Sequence, residues 1–252
     1  MTVHFIGAGP GAVDLLTLRG HKLLAECPIC LYAGSIVPKE MLDFCPPKAT
    51  LIDTAPLNLD QIEAEYVKAH QAGQDIARLH SGDLSVYSAV SEQIRRLKKH
   101  HIPYTLTPGV PAFAAAAALI EKELTIPEVA QSVVLTRISG RASTMPENEK
   151  LESFAKTGCT LLLHLAIHRL EEIVEHLIPF YGTDCPIVIA ARVTWENEQI
   201  LKGTLGTIIE QFNQQPVERT ALIMVGPALH DTQATESALY NVEYQRRFKN
   251  TY

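Results

Sequence analysis

The sequence is poor in clustered positive charge. It has 22 Lys and Arg against 28 Asp and Glu, for a formal net charge of −6. The densest basic group, Arg95, Arg96, Lys98 and Lys99, falls on a short amphipathic stretch and reads as a solvated helix face. Nucleic acid needs Lys and Arg grouped against phosphates, so no nucleic-acid partner is expected. No segment reaches the run of about 18 apolar residues that a spanning helix requires, so no membrane partner is expected either. No charged-then-apolar leader precedes the first strand, and a cytoplasmic location is the expectation. Cysteine is scarce and odd in number, five in all, which does not suit a disulfide framework. The pair Cys27 and Cys30 has C-x-x-C spacing, but no second pair completes four zinc ligands, and it reads as core packing. His164 and His168 straddle a strand end without an acidic partner and read the same way. No protein-bound metal is expected.

What the sequence does contain is alternation. Its 252 residues are 46% hydrophobic and 20% charged, ordinary values for a globular protein, and long enough for two α/β units of about 120 residues. Strands are expected at Val3–Ile6, Cys30–Ala33, Leu51–Asp53, Asp75–His80 and Tyr104–Leu106. Helices are expected between them, over Leu15–Ala25, Asp60–Ala72 (capped by Asn58 or Asp60) and Ser88–His100. Such an order implies a parallel sheet with helices on both faces. An alanine-rich helix, Phe113–Leu119, reads as a bridge. Beyond it come strands at Ser132–Thr136, Thr160–Leu165, Ile187–Ala191 and Ala221–Val225. Helices there are expected over Leu151–Ala155, Leu170–Leu177 and Thr207–Asn213. "RVTWENEQILKGTL" has the look of a hairpin. The expected organisation is α/β throughout: an N-terminal domain over 1–112, a linker helix and connection over 113–130, a C-terminal domain over 131–230 and a tail over 231–252.

Three loops stand out. In "FIGAGPGAVDLL", Gly7, Gly9 and Ala12 satisfy the G-x-G-x-x-G/A dinucleotide fingerprint. That fold also needs an acidic residue at the end of the second strand, where "LYAGSIVP" offers Ala33, Gly34 and Ser35. Pro10 also removes one backbone donor from any phosphate nest. The turn is better read as a place where backbone approaches a ligand or a neighbouring loop. "LHSGDLSVYS" follows the fourth strand, and its Asp83 could cap the next helix, contact a ligand, or do both. "TPGVPAFAAAAA" makes a rigid turn at Pro108, Gly109 and Pro111. Three strand ends of one sheet opening into Gly and Pro turns point to a shared cleft. Arg137, Arg141, Arg192 and Lys202 each lie at or near a strand end, where planar or point cations could anchor an anionic substrate.

Taken together, "FIGAGPGAVDLLTLRG", "LYAGSIVP", "RLHSGDLSVYSAVSEQ", "TPGVPAFAAAAALIEKELTIPEVAQSVVLTRISGR", "VTWENEQILKGTL" and "TALIMVGPAL" closely resemble the tetrapyrrole methylases. They occur in family order and spacing over about residues 2–230. "ELTIPEVAQSVVLTR" and "LYAGSIVP" are most similar to the precorrin-4 branch of that family. The resemblance implies two α/β domains with S-adenosylmethionine in the cleft between them, a homodimer, and methyl transfer to a tetrapyrrole carbon. Donor contacts implied by it are Pro10, Gly82, Asp83, Val86, Pro111, Ala112, Leu165, Val193 and Ala221. Gly9 and Gly11 are then expected on the substrate side, with Arg137, Arg141, Arg192 and Lys202 as anchors for the substrate's carboxylates. No catalytic base is identified. Three positions depart from the family pattern: Leu84 replaces the usual Pro of G-D-P, Ser88 the usual Gly after Tyr, and Pro111 the usual Ser or Thr after P-G-V. A relative that binds a tetrapyrrole without methylating it, a different precorrin or uroporphyrinogen methylase, and an NAD-dependent oxidoreductase are the alternatives.

Overall fold

The computed structural model describes residues 1–139 and 144–230. These form two compact units. The first comprises Met1–Ala116 and Arg192–Glu198. The second comprises Ala117–Ala191 and, of the described residues, 199–230.

In the first unit the elements run β1 (Val3–Gly7), α1 (Leu18–Glu26), β2 (Ile29–Tyr32), β3 (Thr50–Asp53), α2 (Leu59–Gln71), β4 (Ile76–His80), α3 (Val90–Lys99) and β5 (Tyr104–Thr107). The five strands make one parallel sheet in the order β3-β2-β4-β1-β5. Central strands of such a sheet are covered on both faces and read as continuous apolar runs. On one face Val3, Phe5 and Ile76 pack with Ile62 and Tyr66 of α2 and Val90 and Leu97 of α3. On the other, Ile6, Ala77 and Leu79 pack with Leu24, Cys27, Cys30 and Met41. The C-x-x-C pair is therefore buried in an apolar layer, and burial pushes the Cys27 thiol up to about 12. The cap of α2 is Asn58, which accepts from the Gln61 N–H while the Gln61 side chain accepts from the Asn58 N–H, a reciprocal capping box. Arg96 of α3 pairs with Asp60 and Glu63, as a solvated face would.

The second unit runs β6 (Val133–Thr136), α5 (Leu151–Ala155), β7 (Thr160–Leu163), α6 (Leu170–Tyr181), β8 (Pro186–Ala191), β9 (Gln199–Thr204), α7 (Ile208–Gln214) and β10 (Ala221–Val225). Its sheet has the order β6-β7-β10-β8-β9. Only the β6–β7 pair is parallel. Leu161, Leu163, Ile187, Ile189, Ile223 and Val225 form one core with Ile173 and Leu177 of α6 and Ile208 of α7. β8 and β9 form the expected hairpin, and the residues between them belong to the first unit. Helix α6 runs past the expected end at Leu177, through Pro179, to Tyr181. The Tyr181 hydroxyl donates to the Cys159 carbonyl at 2.7 Å and anchors that last turn. Helix α4 (Ala112–Leu119) contains the division between the units, which falls after Ala116. Among the described residues no helix is long and apolar enough to cross a membrane.

The core of the first unit contains two basic side chains, Arg78 and His80, both on β4. Arg78, 5% exposed, donates to Gln93 Oε1 at 3.2 Å and Thr54 Oγ1 at 2.9 Å, and Tyr66 donates to the same Gln93 oxygen. These partners are neutral, and burial lowers the Arg78 pKa. His80 is equally buried, and its Nε2 has no hydrogen-bond partner among the described residues. Burial, reinforced by Arg78, pushes its pKa down to about 3. The neutral ring is thus the folded form, while the unfolded chain titrates near 6.5. The stability that His80 contributes is present above pH 6.5 and is lost as pH falls toward 3. Between pH 7 and pH 5 this amounts to about 2 kcal/mol. We expect urea denaturation to show the gap between wild type and His80→Gln narrowing by that amount over the same interval. A gap independent of pH would mean that His80 titrates normally in the fold.

Candidate active site

The ends of β1, β4 and β5 meet backbone to backbone. The Gly9 N–H donates to the Gly82 carbonyl at 3.1 Å, and the Gly82 N–H returns a bond to the Gly9 carbonyl at 2.7 Å. Both residues have left-handed φ, +80° and +67°, which glycine adopts without steric cost. Ala8 N–H also donates to the His80 carbonyl at 2.7 Å. Behind them, a Cβ on Gly7 would lie 2.5 Å from Gly109 N, and a Cβ on Gly109 would lie 2.2 Å from Gly82 O. Gly7 and Gly109 therefore have no room for a side chain, and Gly9 and Gly82 are needed for their left-handed backbone.

Asp83 ties the third strand end in place. Its Oδ2 accepts from the Gly109 N–H at 2.9 Å, and its Oδ1 from the Ser85 N–H at 2.8 Å and the Ser85 hydroxyl. Burial pushes its carboxyl upward, but the bonds from Ser85, Gly109 and Leu84 outweigh this and hold it below the usual carboxylate range. The helix-capping alternative is not realised. Helix α3 has Ala89 at its N-cap, left-handed at φ 54°, with no side-chain cap. Tyr87 is also left-handed at φ 52°. The departures from the family pattern have local roles here: the Ser88 hydroxyl donates to the Leu84 carbonyl, and Leu84 packs against the core beside α2 and α3. Pro111, in place of a hydroxyl residue, starts α4, its carbonyl accepting from the Ala114 and Ala115 N–H groups.

The glycine turn after β1 is not built for phosphate. A 3-10 turn over Val13–Leu15 separates it from α1, which is capped by Thr17, so the turn does not sit on a helix N-terminus. At the end of β2, Gly34 packs against Asp53 of the neighbouring strand and donates its N–H to Oδ1 at 2.9 Å. Gly11 meets the segment that returns from the β8–β9 connection. A Cβ on Gly11 would lie 2.4 Å from Trp195 Cδ1. Trp195 Nε1–H donates to the Pro10 carbonyl at 2.8 Å, and Thr194 Oγ1 accepts from the Ala12 N–H at 2.9 Å. Gly11, Ala12, Thr194 and Trp195 border a cavity of about 560 Å³ that also touches Asp14, Glu40, Arg192 and Glu196. Thr194 and Trp195 were not singled out from the sequence. The signal was available, since Trp195 is the one tryptophan of the chain and sits in an otherwise polar loop.

The remaining candidates divide between the units. Val193 is buried in the first. In the second, Leu165 follows β7 with φ 55° and is 66% exposed, unusual for a large apolar residue. Ala221 starts β10 opposite Ala191. Arg137 lines a cavity of about 320 Å³ together with Lys150, Arg169 and His176, and Glu149, Glu152 and Glu172 share its walls. Lys202 lines another of about 610 Å³, with Lys122, Glu121 and Asp184. Each of these cations, like Arg192, has carboxylates around it. Arg141 lies outside the described residues. Among the described residues no group of three or more His, Cys, Asp or Glu could hold a metal ion.

Comparison with known proteins is consistent along the whole chain. The family described as Tetrapyrrole (Corrin/Porphyrin) Methylases matches residues 2–209. A precorrin-4 C(11)-methyltransferase of Sinorhizobium sp. is 62% identical, over 99% of this chain and 98% of that protein. A cobalt-precorrin-4 C(11)-methyltransferase of Methanocaldococcus jannaschii is 36% identical, over 99% of this chain and 96% of the relative. Among solved structures, a cobalt precorrin-4 methyltransferase of cobalamin biosynthesis superposes with a TM-score of 0.88 at 34% identity, covering 91% of this chain and 96% of the other. The glycine-stitched strand ends thus belong to a chain that is a member of the tetrapyrrole methylase family.

Proposed function

We propose that this protein transfers a methyl group from S-adenosylmethionine to C-11 of metal-free precorrin-4, a step in cobalamin formation. The observation that carries this reading is the 62% identity to a relative named for that reaction, against 36% to one named for the cobalt form. The chain's residues suit the donor. Pro10, Gly82, Asp83, Val86, Pro111 and Ala112 lie on or beside the stitched strand ends, with Val193 in the returning segment. Leu165 offers an apolar side chain left exposed at the end of β7, and Ala221 stands at the start of β10. When bound, S-adenosylmethionine supplies a methyl group already activated by its sulfonium.

The protein's share is orientation and the exclusion of water. Asp83, ionised at neutral pH, fixes the 82–86 loop against Gly109, so that the loop backbone is in place before a ligand arrives. Gly9 and Gly11 keep the turn after β1 close to its neighbours, and Arg192, beside that turn, is the cation offered to the acceptor's carboxylates, while Arg137 and Lys202 line separate cavities. The resemblance also supports a homodimer and a cytoplasmic location. Sedimentation of the purified protein at twice the chain mass would bear the dimer out.

We expect calorimetry to show S-adenosylhomocysteine binding to the wild-type protein. Asp83→Ala should weaken it about tenfold, or about 1.4 kcal/mol, because the loop loses its anchor on Gly109. Failure of the wild type to bind would remove the enzyme reading, and binding without turnover would favour a non-catalytic tetrapyrrole carrier. With labelled donor, we expect methyl incorporation into metal-free precorrin-4 to exceed that into the cobalt form. The reverse order would reassign the acceptor.

A further inference from the structure

The segment 192–198 is held in a costly conformation. Arg192 has φ 47° and Thr194 φ 68°, left-handed values that are unfavourable for a bulky or β-branched residue. Such outliers persist only where the surroundings over-determine them, and they concentrate at functional sites. Here the determinants are explicit. The Thr194 N–H donates to Glu198 Oε2 at 2.7 Å, and the Trp195 N–H donates to the Arg192 carbonyl at 2.9 Å. Outside the segment, the Thr194 hydroxyl and the Trp195 indole seize the Ala12 N–H and the Pro10 carbonyl, across 182 and 185 residues of sequence. Gly11 is bare because the indole occupies the space of its side chain.

We propose that Thr194 and Trp195 are positioning residues for the methyl acceptor, clamping residues 10–12 so that the turn after β1 keeps one shape beside the cavity lined by Arg192 and Trp195. This rests on the methyltransferase reading above. The clamp acts on the acceptor more than on the donor for a geometric reason. Gly82, Asp83 and Gly109 are fixed to each other and to Gly9 by their own hydrogen bonds, and these do not involve residues 192–198. Release of the clamp frees Gly11 and Ala12 and, of the donor contacts named above, reaches only Pro10 and Val193, while Gly82 and Asp83 keep their own bonds to Gly9 and Gly109.

The test is steady-state methylation of precorrin-4 by the full-length wild type and by Trp195→Phe, Thr194→Val and Thr194→Ser, with calorimetry of S-adenosylhomocysteine alongside. Trp195→Phe keeps the ring and loses the N–H. Thr194→Val keeps the shape and loses the acceptor oxygen, and Thr194→Ser keeps the oxygen. We expect the first two to raise the acceptor KM about tenfold, with kcat within threefold, S-adenosylhomocysteine Kd within twofold and Tm close to wild type. Thr194→Ser should restore the wild-type KM. An unchanged acceptor KM in Trp195→Phe or Thr194→Val overturns the proposal, as does a loss of donor affinity equal to the loss for the acceptor. If Trp195→Phe does not fold, the Thr194 pair decides. A wild-type protein without methyl transfer would instead overturn the functional reading on which the proposal rests.

Discussion

The reciprocal pair of hydrogen bonds between Gly9 and Gly82 is the contact on which the candidate site depends. It joins the end of β1 to the end of β4 outside the regular ladder, and it requires left-handed backbone on both sides. Gly7 and Gly109 then close on the same point, and Asp83 reaches across to the Gly109 amide. The result is a surface made chiefly of backbone, at the carboxyl ends of parallel strands, where open α/β sheets place their ligands. Its rigidity comes from below. β1 and β4 are buried on both faces, and close-packed interiors transmit any displacement instead of absorbing it.

Left-handed backbone at residues other than glycine occurs in both units. Tyr87 and Ala89 follow β4, Leu165 follows β7, and Arg192 and Thr194 follow β8, all left-handed without being glycine. Each such residue costs on the order of 1–3 kcal/mol, which the buried sheets of the two units offset. The two buried basic residues of β4 lead into the first of these turns. Arg78 is satisfied by neutral partners, and His80 stays neutral directly before the Ser81–Gly82–Asp83 turn.

Much of the architecture was legible in the residues. The leucine run announced a strand over Thr160–Leu165; the buried strand ends at Leu163, and Leu165 beyond it turns left-handed and is exposed. Asn58 or Asp60 announced a helix start, and the "RVTWENEQILKGTL" stretch announced a hairpin. These are local signals: period, cap and turn chemistry act over a few residues and need no distant partner. Errors arose where a distant partner decided the outcome. Asp83 looks like a helix cap from its position before α3, yet the Gly109 amide, 26 residues away, takes its carboxylate. Helix α6 looks finished before Pro179, yet Tyr181 finds the Cys159 carbonyl and the helix continues.

The glycine turn shows most clearly how the two sources divide. By itself, the sequence argued against a dinucleotide site, because Pro10 removes a donor and no acid follows the second strand. It also carried the family motifs in order, and with them the methyltransferase chemistry. It did not reveal why Gly11 must be glycine. Only the tertiary structure decided that, by bringing Trp195 from the far side of the sequence against Gly11 and Pro10. The physical reason is that steric exclusion and hydrogen bonding act over a few ångströms in space, whatever the separation along the chain.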